Sequence, residues 1–126
     1  MKTALQVKPA ELEKYRRAAL VPKKRLSAEI RARRVRSWRL ARKSAEILKT
    51  EFGATKVAVF GSLVHPSSFH SKSDVDLAVW GIGEGKYYRA VSVLLDIDPA
   101  ISVDLICMED ARPALKKIIE DEGRDL

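Results

Sequence analysis

Two aspartates separated by one valine, Asp74-Val75-Asp76, open an otherwise apolar run that continues through Leu77, Ala78, Val79 and Trp80. Strand side chains alternate faces, so Asp74 and Asp76 point one way while Val75, Leu77 and Val79 point the other. Two carboxylates on one strand face repel each other and lose hydration, and a cation that neutralises them makes the pair stable. Oxygen-only ligands of this kind suit a hard ion, Mg²⁺ above all. Upstream, Lys56-Val57-Ala58-Val59-Phe60 reads as a strand closed by Gly61-Ser62. In that turn backbone N–H groups and a hydroxyl can meet a phosphate. The two features together imply a nucleoside triphosphate held through its metal.

A third carboxylate follows in order. Ile101 to Met108 reads as a short buried strand, with Val103, Leu105 and Cys107 on one face and Asp104 beside Ile106 on the other. An acid in mid-strand needs a partner, and the Asp74/Asp76 site supplies one. Taken alone, Asp74 reads more readily as a turn cap and Asp104 as a strand end. Three strand-borne aspartates around one or two metals suit in-line nucleotidyl transfer, with one ion activating the attacking hydroxyl and another steadying the pyrophosphate.

Gly61-Ser62, eleven residues, then Asp74-Val75-Asp76-Leu77-Ala78-Val79 resembles the minimal nucleotidyltransferase (MNT) domain of the polymerase-beta-like superfamily. The resemblance covers roughly residues 45 to 122 and implies that fold: α/β (α+β), a small mixed sheet covered by helices. It implies Asp74 and Asp76 as metal ligands, Asp104 as the third catalytic carboxylate that joins them on the metals, and Gly61 and Ser62 as holders of the triphosphate. It also implies Mg²⁺ as cofactor and ATP as co-substrate. Stand-alone MNT domains are often antitoxins whose partner, a helical HEPN-domain ribonuclease toxin, is neutralised by attaching AMP to a tyrosine. The chain departs from the family pattern in two places. Ten residues commonly separate Gly-Ser from the first Asp, and an Arg-Gly pair commonly follows where His65-Pro66 stands here.

The 126 residues suffice for one domain with an appendage, divided here into a basic N-terminal arm (1–26) and a nucleotidyltransferase domain (27–126). One cysteine, Cys107, excludes an internal disulfide framework and fits a reducing compartment, so a cytoplasmic location is expected. No apolar run approaches the ~20 residues needed to cross a bilayer, and charged residues from Glu11 to Arg17 interrupt any signal-like segment. Charge divides sharply. Residues 1–50 hold 16 Lys/Arg against 4 Asp/Glu, whereas residues 51–126 hold 8 against 13.

In the basic half, Pro9 to Leu20 reads as a short amphipathic helix and Val21 to Arg25 as a linker. Ser27 then caps a long helix through Phe52, stopped by Gly53. At about 100° per residue, Trp38, Ala41, Ala45, Leu48 and Phe52 form one stripe that packs on the sheet. Arg34 breaks that stripe beside Ile30. The front of the helix is therefore expected to leave the core and project Arg31, Arg33, Arg34, Arg36 and Arg39 into solvent or onto a partner. A solvated basic face is the plain alternative. A partner for such an arm is an acidic protein surface or, second, nucleic acid.

Lys86 to Leu95 reads as a helix, and Asp110 is expected to cap a last one from Ala111 to Glu122. Gly81-Ile82-Gly83-Glu84-Gly85 mimics a phosphate loop, but Glu84 opposes an anion and the link reads as a flexible connection. His65 and His70 lack further ligands at zinc spacing and read as loop residues, with His65 placed for a phosphate contact. Trp80 shares the aspartate face and suits either a base pocket or the core. The leading expectation is AMP transfer to a tyrosine of a HEPN toxin. The alternatives are a catalytically weak MNT module that binds a toxin by contact or binds nucleic acid, and a nucleotidyltransferase acting on a small molecule such as an aminoglycoside.

Overall fold

The computed structural model describes residues 27–126. The expected helix from Pro9 to Leu20, its linker and the rest of the arm lie outside the described residues. The first helix, α1 (Ala28–Glu51), starts where sequence places it: the Ser27 hydroxyl accepts the Ile30 N–H at 3.2 Å. It ends through Gly53, whose φ of +73° lets the Ala54 N–H turn back to the Leu48 carbonyl at 3.0 Å. Leu40, Ala41, Ala45, Leu48 and Phe52 are buried along one stripe.

Strands β1 (Lys56–Phe60), β2 (Val75–Trp80), β3 (Val103–Cys107) and β4 (Arg124–Asp125) form one mixed sheet in the order β3-β2-β1-β4. β1 runs antiparallel to β2 and β4, and β2 runs parallel to β3. The parallel pair requires a crossover, supplied by helix α2 (Tyr87–Leu95). Helix α3 (Pro113–Glu122) follows β3.

Alternation divides the core into two layers. Val57, Val59, Val75, Leu77, Val79, Val103 and Leu105 pack with the buried stripes of α1 and α2. Phe60, Ala78 and Ile106 face the other way and pack with Ala111, Leu115 and Ile119 of and before α3. Each fully buried Val or Leu contributes about 1.5–3 kcal/mol. Tyr87 is tied into the first layer by its hydroxyl, which donates to the Leu105 carbonyl at 2.7 Å. Burial first, and then the neighbouring Cys107 and Asp104, push its pKa up to about 12. Burial, then Asp110 and Glu109, likewise pushes the Cys107 thiol up to about 11, in keeping with a small hydrophobe and not a nucleophile.

Three local expectations change. The last helix begins at Pro113, with Arg112 in the extended N-cap position, so Asp110 does not cap it. Pro113 forces this, because the residue before a proline avoids helical backbone while proline itself suits the first helical turn. Asp110 instead ends a 3₁₀ turn, Met108–Asp110. The front of α1 stays on the domain, although Arg31, Arg36 and Arg39 are exposed as expected. Ile30 packs against the core, the Arg33 and Arg34 guanidinium groups each donate to a backbone carbonyl of the sheet-side loop, and Arg36 pairs with Asp98 through both carboxylate oxygens at 2.5 and 2.7 Å. The Arg36 hydrogen bond holds the Asp98 carboxyl below the usual range. Finally, β4 adds an edge strand that the sequence pattern did not suggest. No helix among the described residues is long and apolar enough to cross a membrane.

Candidate active site

The sheet register gathers the site. Phe60 of β1, Asp76 of β2 and Asp104 of β3 are successive Cα partners across three strands, so their side chains share one face in one row. The next row inward, Ala58, Ala78 and Ile106, belongs to the face on which α3 packs. The acidic row lies at the end of the sheet, where β1 finishes and β2 and β3 begin. Asp76 is 2% exposed, one of four buried polar or charged residues among those described. Asp104 is exposed, although its four strand neighbours in β3 are buried. Within the segment Ile101 to Met108, expected as a short buried strand, Ser102 and Asp104 are the two exposed residues. Asp74 is half-buried and sits just ahead of β2, where Val75 donates to the Ser102 carbonyl at 3.0 Å.

Gly61 closes the row. It follows Phe60 directly, has φ +77°, and its backbone lies against Asp76: a Cβ built there would stand 3.2 Å from the Asp76 carboxylate carbon. Only a residue without a side chain lets the turn come so close to the carboxylate. Gly61 to Val64 form a 3₁₀ turn in which the half-buried Ser62 accepts the His65 N–H at its carbonyl, 3.1 Å away. A second 3₁₀ turn, Pro66–Ser68, and the buried Phe69 carry the chain on towards Asp74. The Ser73 hydroxyl accepts the His70 N–H at 2.9 Å.

Gly61-Ser62, Asp74-Val75-Asp76 and Asp104 thus come from three separate stretches of chain to one end of the sheet. Among the described residues, no three His, Cys, Asp or Glu side chains already form a metal-holding group. The donor set nonetheless fits Mg²⁺, which is usually held by one or two carboxylates, substrate phosphates and water and not by an all-protein cage. His65 lies 3.4 Å from Glu122 of α3, a pairing that sequence did not reveal. Trp80 stands at the other end of β2 from Asp76, packs with the second core layer and carries Lys56 Nζ 4.7 Å above its ring.

A cavity of about 480 Å³ opens at that far end, lined by Tyr87, Tyr88 and Cys107 with the acids Glu84, Glu109 and Asp110. Its lining acids repel phosphate, and the Gly81–Gly85 link that borders it is no anion loop.

A model of the nucleotidyltransferase domain of polymerase beta matches residues 42–126. The chain belongs to the polymerase beta nucleotidyltransferase family. Its fold, a four-stranded mixed sheet with helices on both faces, is a nucleotidyltransferase fold, and the enzyme class follows from the family. A crystal structure of a mutant form of the toxin–antitoxin pair MntA–HpeT aligns with a TM-score of 0.49 and 17% identity, covering 73% of this chain and 70% of that one. No curated protein matches the chain significantly.

What sequence did not foresee beside the candidate site is the contact of Arg33 and Arg34 with its loop carbonyls. The break that Arg34 makes in the α1 stripe was a real signal, but it marks a side chain that reaches a loop carbonyl beside the candidate site and not a helix leaving the core.

Proposed function

We propose that this nucleotidyltransferase moves AMP from ATP, with Mg²⁺, onto a tyrosine hydroxyl of a HEPN-domain ribonuclease toxin and is thereby its antitoxin. The observation that carries this reading is the row of Asp76 and exposed Asp104 under the Gly61 turn. It offers one carboxylate deep in the site and one at an open sheet edge that a bulky acceptor can approach. Residues Asp74 and Asp76 would hold the metal, and the Gly61 backbone with the Ser62 hydroxyl would orient the triphosphate. When bound, Mg²⁺ offsets phosphate charge and lowers the pKa of the attacking hydroxyl. Asp104 stands where the acceptor enters and takes its proton. The acceptor oxygen bonds to the α-phosphorus, the bond from that phosphorus to the β-phosphate oxygen breaks, and pyrophosphate leaves. The choice of a protein acceptor follows the resemblance to MNT domains together with the open edge at Asp104.

The test is intact-mass analysis of a HEPN ribonuclease after incubation with the chain, ATP and Mg²⁺. The expected result is addition of AMP, loss of ribonuclease activity, and neither effect when the acceptor tyrosine is changed to phenylalanine. A ribonuclease neutralised without any change in mass would instead make the chain an antitoxin that acts by contact.

A further inference from the structure

The segment between Ser62 and Asp74 is held at both ends by one helix. Arg34 Nη2 donates to the carbonyl of Leu63, the first residue of the segment, at 3.1 Å, and Arg33 Nη2 donates to the carbonyl of Ser73, the last, also at 3.1 Å. The contacts span 29 and 40 residues of sequence, so they are tertiary in origin. Both Nε atoms are buried away from water. Burial, and then the nearby Arg124, lowers the Arg34 pKa. Both arginines lie ahead of residues 42–126, outside the part of the chain that the family model matches.

We propose that Arg33 and Arg34 are positioning residues: together they clamp the 63–73 loop onto α1 and set the separation of the phosphate turn at Gly61-Ser62 from the carboxylates at Asp74 and Asp76. The proposal rests on the reading that this corner takes a nucleoside triphosphate. The physical need is evident in the loop. Eleven residues join the two halves of the site, and their middle is anchored by Phe69 alone among the large buried side chains of the second half. Without ties at Leu63 and Ser73, the ends could shift independently of the sheet. A guanidinium is suited to the task, since it keeps its charge when partly buried and donates in a fixed plane. Two positive groups placed behind the loop also favour a polyanion in front of it.

The test uses the full chain with Arg33→Met and Arg34→Met made singly, and Arg33→Lys and Arg34→Lys as variants that keep charge and a donor. Amide exchange is followed by mass spectrometry without nucleotide, and KM for ATP with Mg²⁺ is measured separately from kcat. In the Met variants, exchange across residues 62–74 should rise about tenfold while β1 and β2 exchange as in the wild type. KM should rise about tenfold with kcat changed less than about threefold, because the triphosphate must reassemble its own cradle. The Lys variants should recover most of both losses. A purely structural brace would lower the active fraction, and so kcat, without moving KM. If Arg34→Met does not fold, Arg33→Met alone decides. Wild-type exchange and KM in a folded Met variant, or a loosened loop with unchanged KM, would overturn the proposal. A wild-type chain that binds no triphosphate would sink the site reading instead, and the exchange result would still decide whether the arginines hold the loop.

Discussion

Asp76→Asn should abolish nucleotidyl transfer and leave the protein folded. The substitution keeps the shape of a side chain that is 2% exposed and removes only its charge, so the packing of Phe60 and Gly61 around it is preserved. What would be lost is the carboxylate at the centre of the row, the one proposed to hold metal. Transfer should fall by about 10²- to 10³-fold or more, the scale on which single preorganised electrostatic groups act in active sites. Without metal, the folded state should be as stable as the wild type or more so, because Asp104 is its cross-strand neighbour and the repulsion between the two is relieved. Steady-state transfer rates and thermal unfolding, measured on the same preparation, separate the two effects. A variant that transfers at the wild-type rate, or that unfolds for lack of a structural contact, contradicts this assignment.

Gly61→Ala should damage both stability and transfer, and Gly83→Ala separates its two causes. Both glycines have positive φ, +77° and +71°, so each alanine bears a backbone penalty of about 1–3 kcal/mol. At Gly83 an added Cβ meets nothing within 4 Å. At Gly61 it drives into the Asp76 carboxylate, which must leave its place. The expected result is a melting temperature lowered by several degrees in both, at about 4–8 °C per kcal/mol for a domain of this size. The drop should be larger in Gly61→Ala, with transfer lost there and retained in Gly83→Ala. Equal transfer in the two variants would show that the close approach of the turn to Asp76 is not needed.

The candidate site could be proposed from sequence because its chemistry is local. Asp74 and Asp76 declare themselves by spacing on an apolar strand, and Gly61-Ser62 by ending another. Asp104 was legible as an acid in a strand, but its exposure depends on what the fold leaves uncovered at this end of the sheet, which is a matter of packing and not of pattern. The reach of Arg33 and Arg34 to carbonyls 40 and 29 residues away is likewise invisible in any helical window. Read locally, a charge on an apolar stripe argues for solvent; in the fold, the long side chains lay their stems along the domain and find acceptors at its loop. Strand β4 is two residues long and has no periodicity to detect; it forms because α3 returns the chain beside β1, where Leu126 also donates to the Val57 carbonyl at 2.9 Å. The start of α3, by contrast, was open to a better reading, since Pro113 carries its own signal for the first helical turn.

The central claim is that one corner of the sheet takes a nucleoside triphosphate through carboxylate-held metal, and calorimetric titration of ATP into the protein tests it most directly. With Mg²⁺ the titration should show saturable binding that Asp76→Asn removes and that raises the melting temperature by mass action. With chelator in place of the metal, the three carboxylates repel the phosphates and binding should vanish. Equal ATP affinity with Mg²⁺ and with chelator, or undiminished affinity in Asp76→Asn, would contradict the account.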